Sequence, residues 1–235
     1  MPTVFITGAN RGLGLEFARQ YASDGWKVIA TCRNPHKARQ LQKINGQLII
    51  RPLDITDCSQ IKSLAKELRG YPIDVLINNA AVHGPRDASA TFGNINIPAW
   101  LETMRTNLVA PFKVTEAFLK QIKSGKRKII VFISSRAASV NERGKLKHHR
   151  TGGSYIYRSS KAALNAVAKS LAFDLCAEKI GVLVLHPGWV RTDMGTEEAW
   201  IDKETSVSGM RRVIEEFKLK KSGSFLAYNG KNIPW

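Results

Sequence analysis

Tyr157 and Lys161 stand four residues apart in the segment YRSSK. On a helix that spacing stacks the two side chains on one face, a turn apart. A free phenol titrates near about pH 10. A neighbouring ammonium favours the phenolate and lowers that value, so the pair can exchange a proton close to neutrality. Tyr155 lacks such a partner, because the residue four positions on is Ser159.

A second feature lies near the N-terminus, where Thr7 runs into Gly8, Ala9, Asn10, Arg11, Gly12, Leu13 and Gly14. Glycines permit a tight turn and let the backbone approach a pyrophosphate. A helix starting there offers free N–H groups and its positive dipole end. The glycine pattern alone is weak, but here an apolar run precedes it and a helical pattern follows, the strand–turn–helix context of a dinucleotide site. An NAD-specific site carries an acidic residue roughly 20 positions further on. The chain instead reads Thr31, Cys32, Arg33, Asn34. Arg33, helped by Arg11, suits a 2′-phosphate, because a guanidinium fork pairs well with phosphate. The expected cofactor is NADP, as NADPH.

These groups need a scaffold, and the patterning supplies one. Apolar runs at 3–7, 27–32, 47–51, 74–78, 128–134, 181–186 and 224–227 read as strands. Most show little alternation, as expected of strands buried on both faces. Helical patterns fall at 12–23, 35–44, 58–69, 99–124, 154–178 and 204–217. Repeated strand–helix–strand units predict a single α/β domain over 1–235, a Rossmann-like doubly wound parallel sheet flanked by helices. Three segments, 83–98, 137–153 and 188–203, lack periodicity and adjoin the carboxyl ends of strands, where such sheets bind ligands. Segment 188–203 mixes Trp189, Met194 and Trp200 with Asp193, Glu197, Glu198 and Asp202. That mixture predicts a lid over the substrate with an apolar, closable rim, the alternative being a static loop whose tryptophans fill the core.

Composition narrows the classes. With 235 residues, 43% of them hydrophobic, the chain can bury a sizeable core. No apolar run is long enough to cross a bilayer. The start shows no leader pattern, and cysteines 32, 58 and 176 form no paired motif. A cytoplasmic protein without a metal site is therefore expected. The formal charge is +17, from 36 Lys and Arg against 19 Asp and Glu. The basic residues are scattered, densest at 143–150 and 218–221, with no interleaved aromatics. That favours a solvated basic surface over a specific nucleic-acid role. His148 and His149 fall in the basic stretch, and His186 closes a strand as a satisfied core residue.

At this point the sequence resembles the short-chain dehydrogenase/reductase family, along almost all its length. The motifs are TGANRGLG at 7–14, LDIT at 53–56, NNAA at 78–81, Asn107 in MRTNLVAPF, Ser134-Ser135, YRSSK at 157–161 and HPGWVRTDMG at 186–195. The ending, 222–235, looks like the C-factor and sniffer-type carbonyl reductase branch. Two departures stand out: NNAA where many members have NNAG, and a longer, basic spacer before Tyr157.

The resemblance implies the following roles. Ser135 would donate to the substrate carbonyl, with Ser134 as the alternative. Tyr157 would protonate that oxygen. Lys161 would lower the tyrosine pKa and hold the nicotinamide ribose. Asn107 would hold a water linking Lys161 to solvent, or simply bond the backbone. Gly8, Asn10, Arg11, Gly12, Leu13 and Gly14 would cradle the phosphates. Asp54 and Ile55 would meet the adenine, and Asn79, Ala80 and Ala81 would line the ribose. Pro187, Gly188, Val190 and Thr192 would flank the carboxamide and phosphates. The implied partner is a small-molecule carbonyl substrate, with no membrane. The helical stretches 99–124 and 154–178 would pair into a homodimer or homotetramer. The alternative is a C-factor-like signalling or NADP-sensing protein with little turnover.

Overall fold

The computed structural model describes residues 1–145, 153–195 and 198–235. Seven parallel strands form one sheet in the order β3-β2-β1-β4-β5-β6-β7. They are β1 (Thr3–Thr7), β2 (Lys27–Cys32), β3 (Leu48–Pro52), β4 (Val75–Asn78), β5 (Ile129–Ile133), β6 (Gly181–His186) and β7 (Ser224–Ala227). The strand order reverses between β1 and β4, so a crevice opens above their carboxyl ends.

Both faces of the sheet are covered. In β1, Phe5 packs on one side with Leu76, Phe118 and Phe132. Its neighbours Val4 and Ile6 pack on the other with Phe17, Val131 and Met210. Central strands buried on both sides have no polar face to alternate, hence their continuous apolar runs. Edge strand β3 is only half-buried and sits one residue later than expected.

The helices are α1 (Gly12–Ser23), α2 (Arg39–Gln42), α3 (Cys58–Glu67), α4 (Ile97–Met104), α5 (Ala110–Ala117), α6 (Leu119–Ser124), α7 (Tyr155–Asp174) and α8 (Lys203–Glu215). Two sequence expectations need correction. The stretch 35–44 is a 3-10 turn, Pro35–Lys37, followed by the short α2. Asn34 caps Lys37, and Ala38 leaves the helical region at φ −88°, ψ 54°. The stretch 99–124 is not one helix. A π turn, Arg105–Val109, separates α4 from α5, and Phe118 separates α5 from α6. Pro111 explains the first break, because it cannot donate to the Asn107 carbonyl and its ring crowds that turn. Among the described residues, no helix is long and apolar enough to cross a membrane.

Candidate active site

The turn after β1 has the shape its glycines suggest. Gly8 and Gly12 adopt φ of +66° and +55°, the left-handed region. A Cβ at Gly14 would lie 2.2 Å from the Gly8 carbonyl oxygen. The turn is pinned from β4: the Asn79 amide donates to the Thr7 carbonyl at 2.9 Å and the Gly8 carbonyl at 3.2 Å. The N–H groups of Asn79 and Ala80 both donate to the Thr7 hydroxyl. Asn79 is thus already engaged in the turn. Arg11 precedes α1 without a side-chain cap, which leaves first-turn N–H groups for an anion. A turn too crowded for side chains, with uncapped donors at a helix start, fits a dinucleotide phosphate.

Arg33 is exposed just beyond β2. Arg11 is exposed too, and it pairs with Asp193 at 2.7 Å. Asp54 accepts from the Thr56 N–H and hydroxyl at 2.9 and 2.7 Å. Those bonds chiefly, with the Arg33 charge behind them, hold its carboxyl below the usual carboxylate value. Ile55 beside it is buried.

Above β4 and β5 the second group assembles. α7 carries Tyr157 and Lys161 on one face, with the ammonium 6.0 Å from the phenol ring centre. Lys161 is 3% exposed, and Nζ donates to the Ile133 carbonyl at 2.9 Å. Burial pulls its pKa down from 10.5 to about 8. Tyr157 differs from the sequence expectation: its pKa is raised, chiefly by burial. The lysine turns towards the Ile133 carbonyl and does not offset this. The Ser135 hydroxyl, hydrogen-bonded to Tyr157, and the Arg86 charge act the other way. Ser134 instead donates to Asn165 Oδ1 at 2.6 Å, buried away from the crevice. Ser135 is therefore the serine beside the phenol.

Asn107 lies buried in the π turn. Its Nδ2 donates to the Val82 carbonyl at 2.8 Å and to Ser160 Oγ at 3.0 Å, and its Oδ1 accepts from the Val82 N–H at 2.9 Å. The side chain is fully committed to protein groups. It ties the segment after β4 to α7.

Segment 188–203 is anchored at both ends. Val190 bridges to Ile201, and both are buried. Gly188 has φ +88°, and a Cβ there would meet Ile201 Cδ1 at 2.3 Å. Pro187 accepts from the Ser206 hydroxyl. Thr192 faces the glycine turn, 3.8 Å from where a Gly12 Cβ would lie. Trp189 donates to the Gly195 carbonyl and meets Trp200 edge to face at 5.1 Å. The expected apolar rim is only partly formed, because Trp200 is 59% exposed and Met194 37%. Glu197 and residues 146–152, most of the basic stretch with His148 and His149, lie outside the described residues.

Sequence reasoning missed two side chains. His83 stacks on the Tyr157 ring, centroids 4.6 Å apart and planes 12° from parallel. Arg86 donates to the Met194 carbonyl across the crevice. Both line a cavity of about 350 Å3 with Asp87, Ser154, Trp189 and Met194. They sit in the segment 83–98, where no periodicity tells which residues face inwards.

A family model described as short chain dehydrogenase matches residues 2–201. The C-signal of Myxococcus xanthus is 38% identical over 175 residues, 74% of this chain and 100% of that protein. The NADPH-bound carbonyl reductase from chicken fatty liver superposes with a TM-score of 0.90 at 34% identity, covering 100% of this chain and 99% of that one. Carbonyl reductase Sniffer of D. melanogaster has a TM-score of 0.90 at 32% identity, with both chains covered fully.

Proposed function

The chain belongs to the short-chain dehydrogenase family, and on that premise we propose that it is an NADPH-dependent reductase of a small aldehyde or ketone. The observation that supports this reading is the grouping of Ser135, Tyr157 and Lys161 beyond β5, in the same sheet whose β1 runs into the glycine turn.

When bound, NADPH supplies the hydride. Tyr157 donates its phenolic proton to the carbonyl oxygen as charge develops there, and Ser135 stabilises the same oxygen through its hydroxyl. A raised phenol pKa keeps Tyr157 protonated near neutrality, the state needed for reduction. Lys161, mostly an ammonium at neutral pH, holds the nicotinamide ribose and feeds positive potential towards the forming phenolate. Asn107 holds a water for proton resupply to Lys161, while its side chain ties the segment after β4 to α7. Gly8, Asn10, Gly12, Leu13 and Gly14 cradle the phosphates, and Arg11 and Arg33 meet the 2′-phosphate. Asp54 and Ile55 border the adenine. Asn79 acts by shaping the turn, and Ala80 and Ala81 line the ribose. Pro187, Gly188, Val190 and Thr192 border the carboxamide, with 188–203 as the lid. The site is expected to work in the cytoplasm.

Consumption of NADPH and of NADH against a panel of aldehydes and ketones tests the reading. Turnover with NADPH, weaker with NADH, is expected. NADPH binding without any turnover would favour the signalling or sensing alternative, for which similarity to the C-signal is the support.

A further inference from the structure

We propose that the substrate of this site carries an anionic group, and that Arg86 is the residue that selects it. The inference rests on the carbonyl-reductase reading and adds a substrate class to it.

The cavity shares the His83 ring with Tyr157, and its lining carries one guanidinium, Arg86, and one carboxylate, Asp87, which do not pair with each other. Arg86 reaches over it from the loop after β4, and its contact in the fold is a neutral backbone oxygen, the Met194 carbonyl. No carboxylate among the described residues forms an ion pair with it. Two acidic groups among the described residues have other partners. Asp87 lines the same cavity, but its Oδ1 caps its own short turn, accepting from the Ser89 N–H at 2.9 Å. Asp193 pairs with Arg11 on the cofactor side. The Arg86 charge is felt inside the site, since it acts on both the Tyr157 phenol and the His83 imidazole.

His83 sharpens the picture. Its ring forms a wall parallel to Tyr157, and its Nδ1 is buried without a well-formed hydrogen bond. A ligand group at that wall would find an imidazole and a guanidinium together. A guanidinium fork matches a carboxylate in two parallel bonds. A cavity of about 350 Å3 holds a small molecule, at the low end of ordinary ligand pockets. The occupant that suits these walls is a compact aldehyde or ketone with a carboxylate at its far end. The carbonyl faces Tyr157 and the charge faces Arg86.

The test compares 4-formylbenzoate with its methyl ester, which differ little in shape but carry different charge. The native protein should reduce the acid with roughly tenfold or higher kcat/KM than the ester, the selectivity one charge-assisted contact supplies. Arg86→Met should collapse that ratio, mainly through KM of the acid, and Arg86→Lys should keep part of it. The ratio also corrects for any loosening of the Met194 contact, which affects both substrates. A native ratio near one, or a ratio that Arg86→Met leaves unchanged, overturns the inference while carbonyl reduction stands. Should neither compound be reduced, the function reading fails. Binding of 4-(hydroxymethyl)benzoate, followed by tryptophan fluorescence, then decides the Arg86 preference separately. Weaker binding to Arg86→Met supports the inference, and equal binding overturns it.

Discussion

The two ends of the sheet treat buried polar groups in opposite ways. At the amino end, Asp74 enters β4 with only 5% exposure. Its carboxylate accepts from the N–H groups of Thr3 at 2.8 Å, Lys126 at 2.8 Å and Arg127 at 3.2 Å. That charge is fully used by the backbone and locks three chain segments together. At the carboxyl end, Lys161 is equally buried but bonds one backbone oxygen, and the phenol beside it leans on a single serine. A buried charge wired to backbone donors is architecture. One left partly satisfied costs stability, and such groups are expected where chemistry needs them.

The largest effect on stability should come from the amino end. Asp74→Ala leaves three backbone N–H groups without their acceptor, that of Thr3 buried and those of Lys126 and Arg127 half-buried. It should cost about 3–5 kcal/mol in urea unfolding, with NADPH affinity per folded molecule unchanged. A loss under about 1 kcal/mol would break the comparison. Ser135→Ala removes a donor from the reacting oxygen and should lower kcat by roughly 100-fold or more with little change in stability. Ser134→Ala should do the reverse, losing about 1 kcal/mol of stability through its bond to Asn165. Equal kinetic effects at both serines would contradict the assignment.

Lys161→Met sharpens the contrast, because it should abolish turnover yet stabilise the cofactor-free fold. The native lysine titrates at about 8 and an unfolded one at 10.5. Its penalty is therefore full below about pH 8 and fades as pH rises towards 10.5. At pH 7 the gain should be about 1–3 kcal/mol, less than the whole shift because the Ile133 carbonyl loses its donor. The rise in native stability between those pH values should vanish in the variant. Among the effects on ligand binding and turnover, the smallest is expected at Arg33→Ala, where NADPH should bind roughly tenfold more weakly and NADH nearly as before. Equal native affinity for both cofactors would remove the basis for that assignment.

Legibility in the sequence followed the same divide. Strands β1, β2, β6 and β7 fall where their apolar runs place them, because burial on both faces leaves an unbroken signal. The glycine turn was readable because its backbone demands exclude other residues. The break before α5 hinged on one proline inside a strong helical pattern, and the π turn that absorbs it has no sequence signature. The Tyr157 pKa is not legible in the sequence, because spacing reports who is near, not how dry the place is. His83 and Arg86 escaped notice because loop geometry is set by long-range contacts such as those to Tyr157 and Met194.

The most direct test of the central claim is Tyr157→Phe, examined by single-turnover hydride transfer alongside NADPH binding. The phenylalanine keeps the ring against His83 and removes only the hydroxyl. NADPH should bind as tightly as to the native protein, while hydride transfer to a good aldehyde falls by roughly 100-fold or more. A variant that transfers hydride at a near-native rate would contradict the role given to Tyr157.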